Sequence, residues 1–193
     1  MTKKPEENNT TELSRRGFLT SVASGIAMTL AAPVAMATAV QVPAPVRDRE
    51  LSFYNTHTGE QLNATFWADG DYLDDGVEEI SWILRDHRAD IATAIDPKLL
   101  DLLYRLQAKV DRQDEFHVIS GYRCPATNAM LHKKSSGVAK RSYHMLGQAI
   151  DVRLPGFDTA KLRKAAKSLK GGGVGYYAKS DFIHLDVGPV RYW

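Results

Sequence analysis

The sequence predicts an α+β domain, a small and mainly antiparallel sheet with flanking helices, and three observations carry that reading. Two alternating runs, 50–54 and 61–67, surround Thr58-Gly59-Glu60, the pattern of a β-hairpin. Two amphipathic stretches follow, each with apolar residues at helical spacing. The later strands and helices lack the regular alternation of βαβ folds.

Asp74 or Asp75 can cap a helix in which Val77, Ile80, Ile83 and Leu84 share one face, ending near Arg88. Asp96-Pro97 opens a second helix, with proline at its first position and Leu99, Leu100, Leu103, Leu106 and Val110 as its apolar stripe. Residues 116–120 form a strand running into Gly121-Tyr122-Arg123-Cys124-Pro125, and a short helix extends to about His132. The basic, glycine-containing stretch 133–141 is a solvated loop. A strand over 149–154, a basic helix over 159–169 closed by Gly171-Gly172-Gly173, and strands over 174–177 and 182–187 complete the chain.

At 193 residues the chain suffices for one domain with its own core. Its 44% hydrophobic and 25% charged residues are ordinary globular values. A formal charge of +2 lacks the excess of a dedicated nucleic-acid binder, so none is expected as a partner. A single cysteine permits no internal disulfide and no thiolate metal site, so any metal must be held by histidine and carboxylate.

The first residues read as an address. Polar residues 1–13 precede Ser14-Arg15-Arg16-Gly17-Phe18-Leu19, an Ala-rich apolar run and Ala35-Met36-Ala37, the order of a secretory signal. The paired arginines resemble a twin-arginine export signal. Ser21, Ser24 and Gly25 interrupt the run, which falls short of a membrane span. Residues 1–37 are therefore expected to be a cleaved signal peptide, 38–49 a proline-containing linker and 50–193 the working domain. The mature domain is expected in the periplasm, monomeric and without a membrane anchor.

Alternation along the strands selects the candidate site. Ile150, Val152 and Leu154 face the core, which turns Asp151 outward; Ile183, Leu185 and Val187 do the same for His184 and Asp186. His144 lies in the turn before the first of these strands, and Gly147 allows the backbone to fold it over the outward face. If the two strands are neighbours, His144, Asp151 and His184 can meet, and three such ligands leave a position for water, as catalytic zinc sites do. Spacing alone leaves a second reading, with His144 a surface histidine and Asp151 paired to Arg153 or a nearby lysine. Cys124 with His117 has no third orienting group, so Cys124 reads as a small buried hydrophobe. His57, His87 and His132 receive no role.

Ser142-x-His144-x-x-Gly147-x-Ala149-x-Asp151 resembles the first zinc motif of the D-alanyl-D-alanine peptidase family, whose sheet is shared with the Hedgehog signalling domain. Ser120-Gly121-Tyr122-Arg123 resembles that family's arginine motif, and His184 stands where its last ligand is expected. The leader and the ending from Gly172 to Trp193 are similar to the murein endopeptidase MepK group. The resemblance spans roughly 50–193. It implies one Zn²⁺ held by His144, Asp151 and His184, peptidoglycan stem peptides as substrate, and hydrolysis of L,D cross-links between meso-diaminopimelate residues. The wider family implies D,D bonds at D-alanine as the alternative.

Hydrolysis needs a carboxylate to take the water's proton. Asp181, three residues before His184, resembles the acid of related carboxypeptidases but needs a bend at the strand start. Asp186 shares the face of His184 and can serve either as base or as the group orienting a ligand. Arg123 corresponds to the family's clamp for substrate carboxylate or oxyanion. Ser142 either contacts substrate or caps its turn. The competing class is an inert zinc-containing wall-binding module; Arg123, Asp181 and Asp186 favour hydrolysis.

Overall fold

The computed structural model describes residues 47–135 and 137–193. The expected signal peptide, most of the linker, and Ser136 in the basic loop lie outside the described residues. The first strand, β1 (Arg49–Asn55), begins at the edge of the stretch expected as linker. It pairs antiparallel with β2 (Gln61–Ala68), placing Phe53 opposite Leu62 across the predicted turn. A two-residue strand, β3 (Asp71–Tyr72), extends the outer edge of β2.

Helix α1 spans Asp74–Ile83 and stops earlier than the apolar spacing suggests. Leu73 occupies the cap position without a side-chain cap bond. Asp74 and Asp75 sit inside the first turn, where acidic groups favour the positive end of the helix dipole. The early stop has a cause at Asp86. This buried carboxylate accepts from Arg88 N and Cys124 N, both at 3.0 Å, while Asp86 and Ile91 form an isolated bridge, so the chain turns there.

Helix α2 (Pro97–Val110) begins as expected, with the Asp96 side chain accepting from Lys98 N at 3.0 Å. Then come β4 (Phe116–Ser120), α3 (Pro125–Lys134), β5 (Ala149–Arg153), α4 (Thr159–Leu169), β6 (Gly173–Tyr177), β7 (Phe182–Asp186) and β8 (Arg191–Tyr192). α3 takes Lys133 and Lys134 from the stretch expected as loop. Short 3-10 helices at Tyr143–Leu146 and Ala178–Ser180, together with β3 and β8, carry too little periodicity to be read from sequence.

These strands form one sheet in the order β3-β2-β1-β4-β5-β7-β6-β8. It is mixed and larger than the small sheet expected. Most pairings are antiparallel, whereas β1 with β4 and β6 with β8 run parallel. Between β1 and its parallel neighbour β4 lie β2, β3, α1 and α2, a crossover long enough for parallel pairing. In the antiparallel centre only β6–β7 is a short return, and longer connections carrying α3 or α4 join the other pairs. α2 and α4 pack against each other and the sheet, burying Leu99, Leu103 and Leu162 with Phe53, Phe116, Ile150 and Ile183. Burial of such side chains stabilises the fold by roughly 1.5–3 kcal/mol each. Among the described residues no helix is long and apolar enough to cross a membrane.

Candidate metal centre

β5 and β7 are antiparallel neighbours, and their register sets Asp151 directly opposite His184. Ile150, Val152, Ile183 and Leu185 all point into the core, so alternation leaves Asp151 and His184 together on the other face. His144 arrives from the 3-10 helix Tyr143–Leu146, with the Ser142 hydroxyl accepting from His144 N at 3.4 Å. Gly147 closes that turn at φ 65°. A side chain there would collide with the Ala94 carbonyl, so glycine is needed twice over.

The segment Gly121–Cys124 braces the histidine. Gly121 O accepts from His144 Nδ1 at 2.7 Å, and Arg123 N donates to His144 O at 3.1 Å. Tyr122 N donates to Leu84 O at 2.7 Å and Cys124 N to Asp86, tying the brace to the α1 turn. Cys124 is buried as expected, and its sulfur accepts from Thr127 N to cap α3. His117 faces Glu115 and Tyr54 instead of the thiol.

Three donor atoms converge. His144 Nε2 lies 3.1 Å from His184 Nδ1 and 3.3 Å from Asp151 Oδ1, and the latter two are 2.8 Å apart. A tetrahedral ion with bonds of about 2.0–2.1 Å has ligand atoms about 3.3 Å apart, so the set matches one face of such a polyhedron. The outward nitrogens are equally well determined. His144 Nδ1 donates to a carbonyl and His184 Nε2 to Asp186 Oδ2 at 2.8 Å, which leaves Nε2 of one and Nδ1 of the other as lone-pair donors. The cluster can hold a metal ion.

The electrostatics follow from burial and proximity. Burial lowers the His144 pKa more than Asp151 raises it. Burial alone would raise Asp151, but the facing imidazoles His144 and His184 hold it well below the usual carboxylate range. For His184 burial is outweighed by Asp151 and Asp186, and its pKa is raised. In Asp186 burial is overcome by His184 and Arg191, and the group stays ionised.

Asp186 shares the face of His184 as predicted, and its side chain is fully buried. Its Oδ1 accepts from Gly173 N at 3.1 Å, Gly188 N at 2.9 Å and Arg191 Nη1 at 2.9 Å. Its Oδ2 accepts from His184 Nε2 and from Arg191 Nη2 at 2.6 Å. A carboxylate offers about four lone-pair sites, so Asp186 has none spare for a water proton, and it touches the nitrogen of His184 that points away from the other ligands. Asp181 does have the required bend, with φ 52°, but its Oδ1 accepts from Thr159 at the start of α4, and it does not line the cavity. The structure therefore does not gather Asp181 with the ligand set.

A cavity of about 440 Å³ opens over the donor atoms, walled by Arg123, Ser142, Tyr177, Arg191 and Trp193. Arg123 Nη2 donates to the Ser142 hydroxyl at 3.3 Å, so that hydroxyl both caps the turn and faces the arginine. Arg123 Nε is buried without a protein partner among the described residues. Burial lowers the Arg123 pKa, and Asp151 and Tyr177 oppose the shift. A larger groove of about 850 Å³ beside α1 contains none of these residues. Sequence reasoning missed Tyr177, Arg191 and Trp193; the available signal was the unusual density of glycine and aromatic residues over 171–193.

A His–Asp–His set at the floor of a cavity, beside a half-buried arginine on a mixed sheet, defines a metallopeptidase site. The chain belongs to the peptidoglycan L,D-endopeptidase MepK family, whose model matches residues 43–193. It is 44% identical over 147 residues to the peptidoglycan L,D-endopeptidase MepK of Escherichia coli K12, covering 76% of this chain and 81% of that protein. It is 39% identical over 188 residues to the probable peptidoglycan L,D-endopeptidase MepK of Haemophilus influenzae, covering 96% and 98%. No solved structure matches the chain.

Proposed function

We propose that this protein is a zinc-dependent murein endopeptidase that hydrolyses L,D cross-links between peptidoglycan stem peptides in the periplasm, exported by the twin-arginine route and acting as a monomer. One observation carries the metal assignment: three ligand atoms lie 2.8–3.3 Å apart, with the outer nitrogens of both histidines held by a carbonyl and a carboxylate. The donor set of two imidazoles and one carboxylate suits Zn²⁺. A bound zinc ion supplies Lewis-acid polarisation of the scissile carbonyl and acidifies a water molecule.

The chain's residues supply the rest. His144, Asp151 and His184 hold the ion. Arg123 presents a partly unpartnered guanidinium to the cavity and binds the scissile carbonyl oxygen or a stem-peptide carboxylate. The Ser142 hydroxyl fixes the arginine fork. Asp186 holds the His184 ring. Asp181, tied to Thr159 outside the cavity, holds the start of α4 against the turn before β7 and is not assigned the water's proton.

The test is digestion of purified sacculi and of defined L,D and D,D cross-linked dimers by the mature, zinc-loaded protein. Loss of the L,D dimer, abolished by His184→Ala and by chelation, is the expected result. Loss of only the D,D dimer would overturn the bond assignment, and an unchanged muropeptide profile would overturn the enzyme.

A further inference from the structure

The segment 171–193 builds a second layer behind the ligands. Arg191 reaches back from β8, and its two Nη atoms grip both oxygens of Asp186 at 2.9 and 2.6 Å. Its guanidinium carbon lies 5.1 Å from the ring centres of both Tyr143 and Trp193, so the fork is bracketed by aromatic faces. The Trp193 ring in turn lies against His184, with centres 5.2 Å apart. Its Nε1 donates to the Tyr177 hydroxyl at 3.1 Å, and its backbone pairs with β6 through Tyr176 N and Val174 O.

Glycines make the room. A Cβ on Gly173 would stand 2.5 Å from Asp186 Oδ2 and 2.6 Å from Arg191 Nη1. One on Gly175 would stand 2.7 Å from the Trp193 indole, and one on Gly188 would enter the Tyr143 ring. Three glycines on two separate segments thus clear the slot that Arg191 and Trp193 occupy. The slot serves one atom in particular. Nδ1 of His184 is a usable ligand only while the ring's proton sits on Nε2, and that proton is held by Asp186. Asp186 is in turn aimed by Arg191.

We propose that Arg191, seated in this glycine-floored slot between Tyr143 and Trp193, is a positioning residue for the metal centre: it fixes Asp186, which fixes the tautomer and tilt of His184. The proposal rests on the metal reading of His144, Asp151 and His184. Arg191 fits the role better than lysine would, because a planar fork engages both carboxylate oxygens and stacks between rings.

The test compares wild type, Arg191→Gln and Arg191→Lys in two readouts besides turnover. These are zinc affinity by competition with a chromophoric chelator, and long-range ¹H–¹⁵N correlation of the neutral His184 ring in zinc-free protein at alkaline pH. Arg191→Gln is expected to weaken zinc binding by roughly 10–100-fold, the usual cost of losing a group behind a ligand, and to give a mixed His184 tautomer. Arg191→Lys, which keeps the charge without the fork, is expected to fall between the two and carries the test if the glutamine variant does not fold. Wild-type affinity and a pure Nε2–H tautomer in both variants, with only a lowered melting temperature, would reduce Arg191 to a structural tie and overturn the proposal. A wild type whose zinc binding survives His184→Ala would overturn the metal reading itself, an outcome separate from failure of the Arg191 relay.

Discussion

Replacing Asp186 by asparagine separates a residue that holds a ligand from one that takes a proton. The new side chain has the same shape. Its carbonyl oxygen can keep the bonds from Gly173 N, Gly188 N and Arg191 Nη1, which leaves the amide nitrogen where Oδ2 stood, 2.8 Å from His184 Nε2 and 2.6 Å from Arg191 Nη2. That nitrogen would face two donors. The imidazole can relieve the clash by moving its proton to Nδ1, the atom that faces Asp151 and His144. The substitution thus blocks the ligand atom without touching it.

Two bonds to a buried charge are lost, at roughly 1.5–3 kcal/mol each. The Arg191 side chain is 39% exposed and regains part of its share from water, so a net destabilisation of about 3 kcal/mol is expected. Zinc affinity should fall by roughly 10–100-fold. Urea unfolding of the metal-free protein measures the first, chelator competition the second, and sacculus digestion at rising zinc shows whether activity returns when the ion is supplied in excess. Recovery with added zinc supports the holding role. A variant with wild-type unfolding and zinc affinity but no turnover at any zinc level would make Asp186 the proton acceptor and refute the geometric reasoning.

Arg123→Lys is expected to lower kcat/KM by about 10²-fold on L,D cross-linked dimers while leaving zinc affinity unchanged, because the fork is lost and the ligands are not; a weaker zinc complex would show that the arginine braces the metal site instead. Tyr72 offers a test remote from the metal. Its hydroxyl donates to Asp101 Oδ2 at 2.6 Å, and that hydrogen bond to a carboxylate, with burial, pushes the phenol up to about 12. Since the unfolded value is about 10, this contribution to stability is complete below pH 10 and vanishes as pH rises through 12. Tyr72→Phe should therefore lower stability by about 1.5 kcal/mol at pH 8 and by much less at pH 12, read by urea unfolding, with one phenol fewer in the late part of the 295 nm titration.

The parts of this fold governed by periodicity were legible. The hairpin, α2 and α4 announce themselves through alternation, an Asp-Pro start and a regular apolar stripe, because those signals are local. The same alternation turned Asp151 and His184 to one face, and only their adjacency required tertiary structure. α1 was overextended because Leu84 continues its apolar face, whereas Asp86 spends its acceptors on Arg88 N and Cys124 N, a bond across 38 positions. Asp186 could be placed on its face but not weighed, since Gly173, Gly188 and Arg191 converge on it through the pairing of β6, β7 and β8. Asp181 shows the limit most plainly: the bend it needed is present, yet its carboxylate turns to Thr159 at the mouth of α4.

Charge explains why this cluster is a cation site and more than a network of internal hydrogen bonds. Asp151 and Asp186 carry two negative charges on adjoining strands; Arg191 pairs with Asp186, whereas Asp151 has Arg123 nearby but no arginine or lysine within ion-pair distance among the described residues. Such a charge is costly unless paired. Without a metal ion, His184 is the group best able to balance it, and the two carboxylates raise its proton affinity for that reason. That proton would sit between Asp151 and His144, at the point where all three donor atoms converge. His144 shares the duty less readily, because burial disfavours its charged form. The fold thus builds a position where a positive charge is required and three lone pairs already point, while Arg191 and Asp186 decide which nitrogen of His184 faces it. A cation there meets a demand that the sheet register has created, which ties the presence of the site to the pairing of β5 with β7 and its quality to the glycine-lined layer behind them.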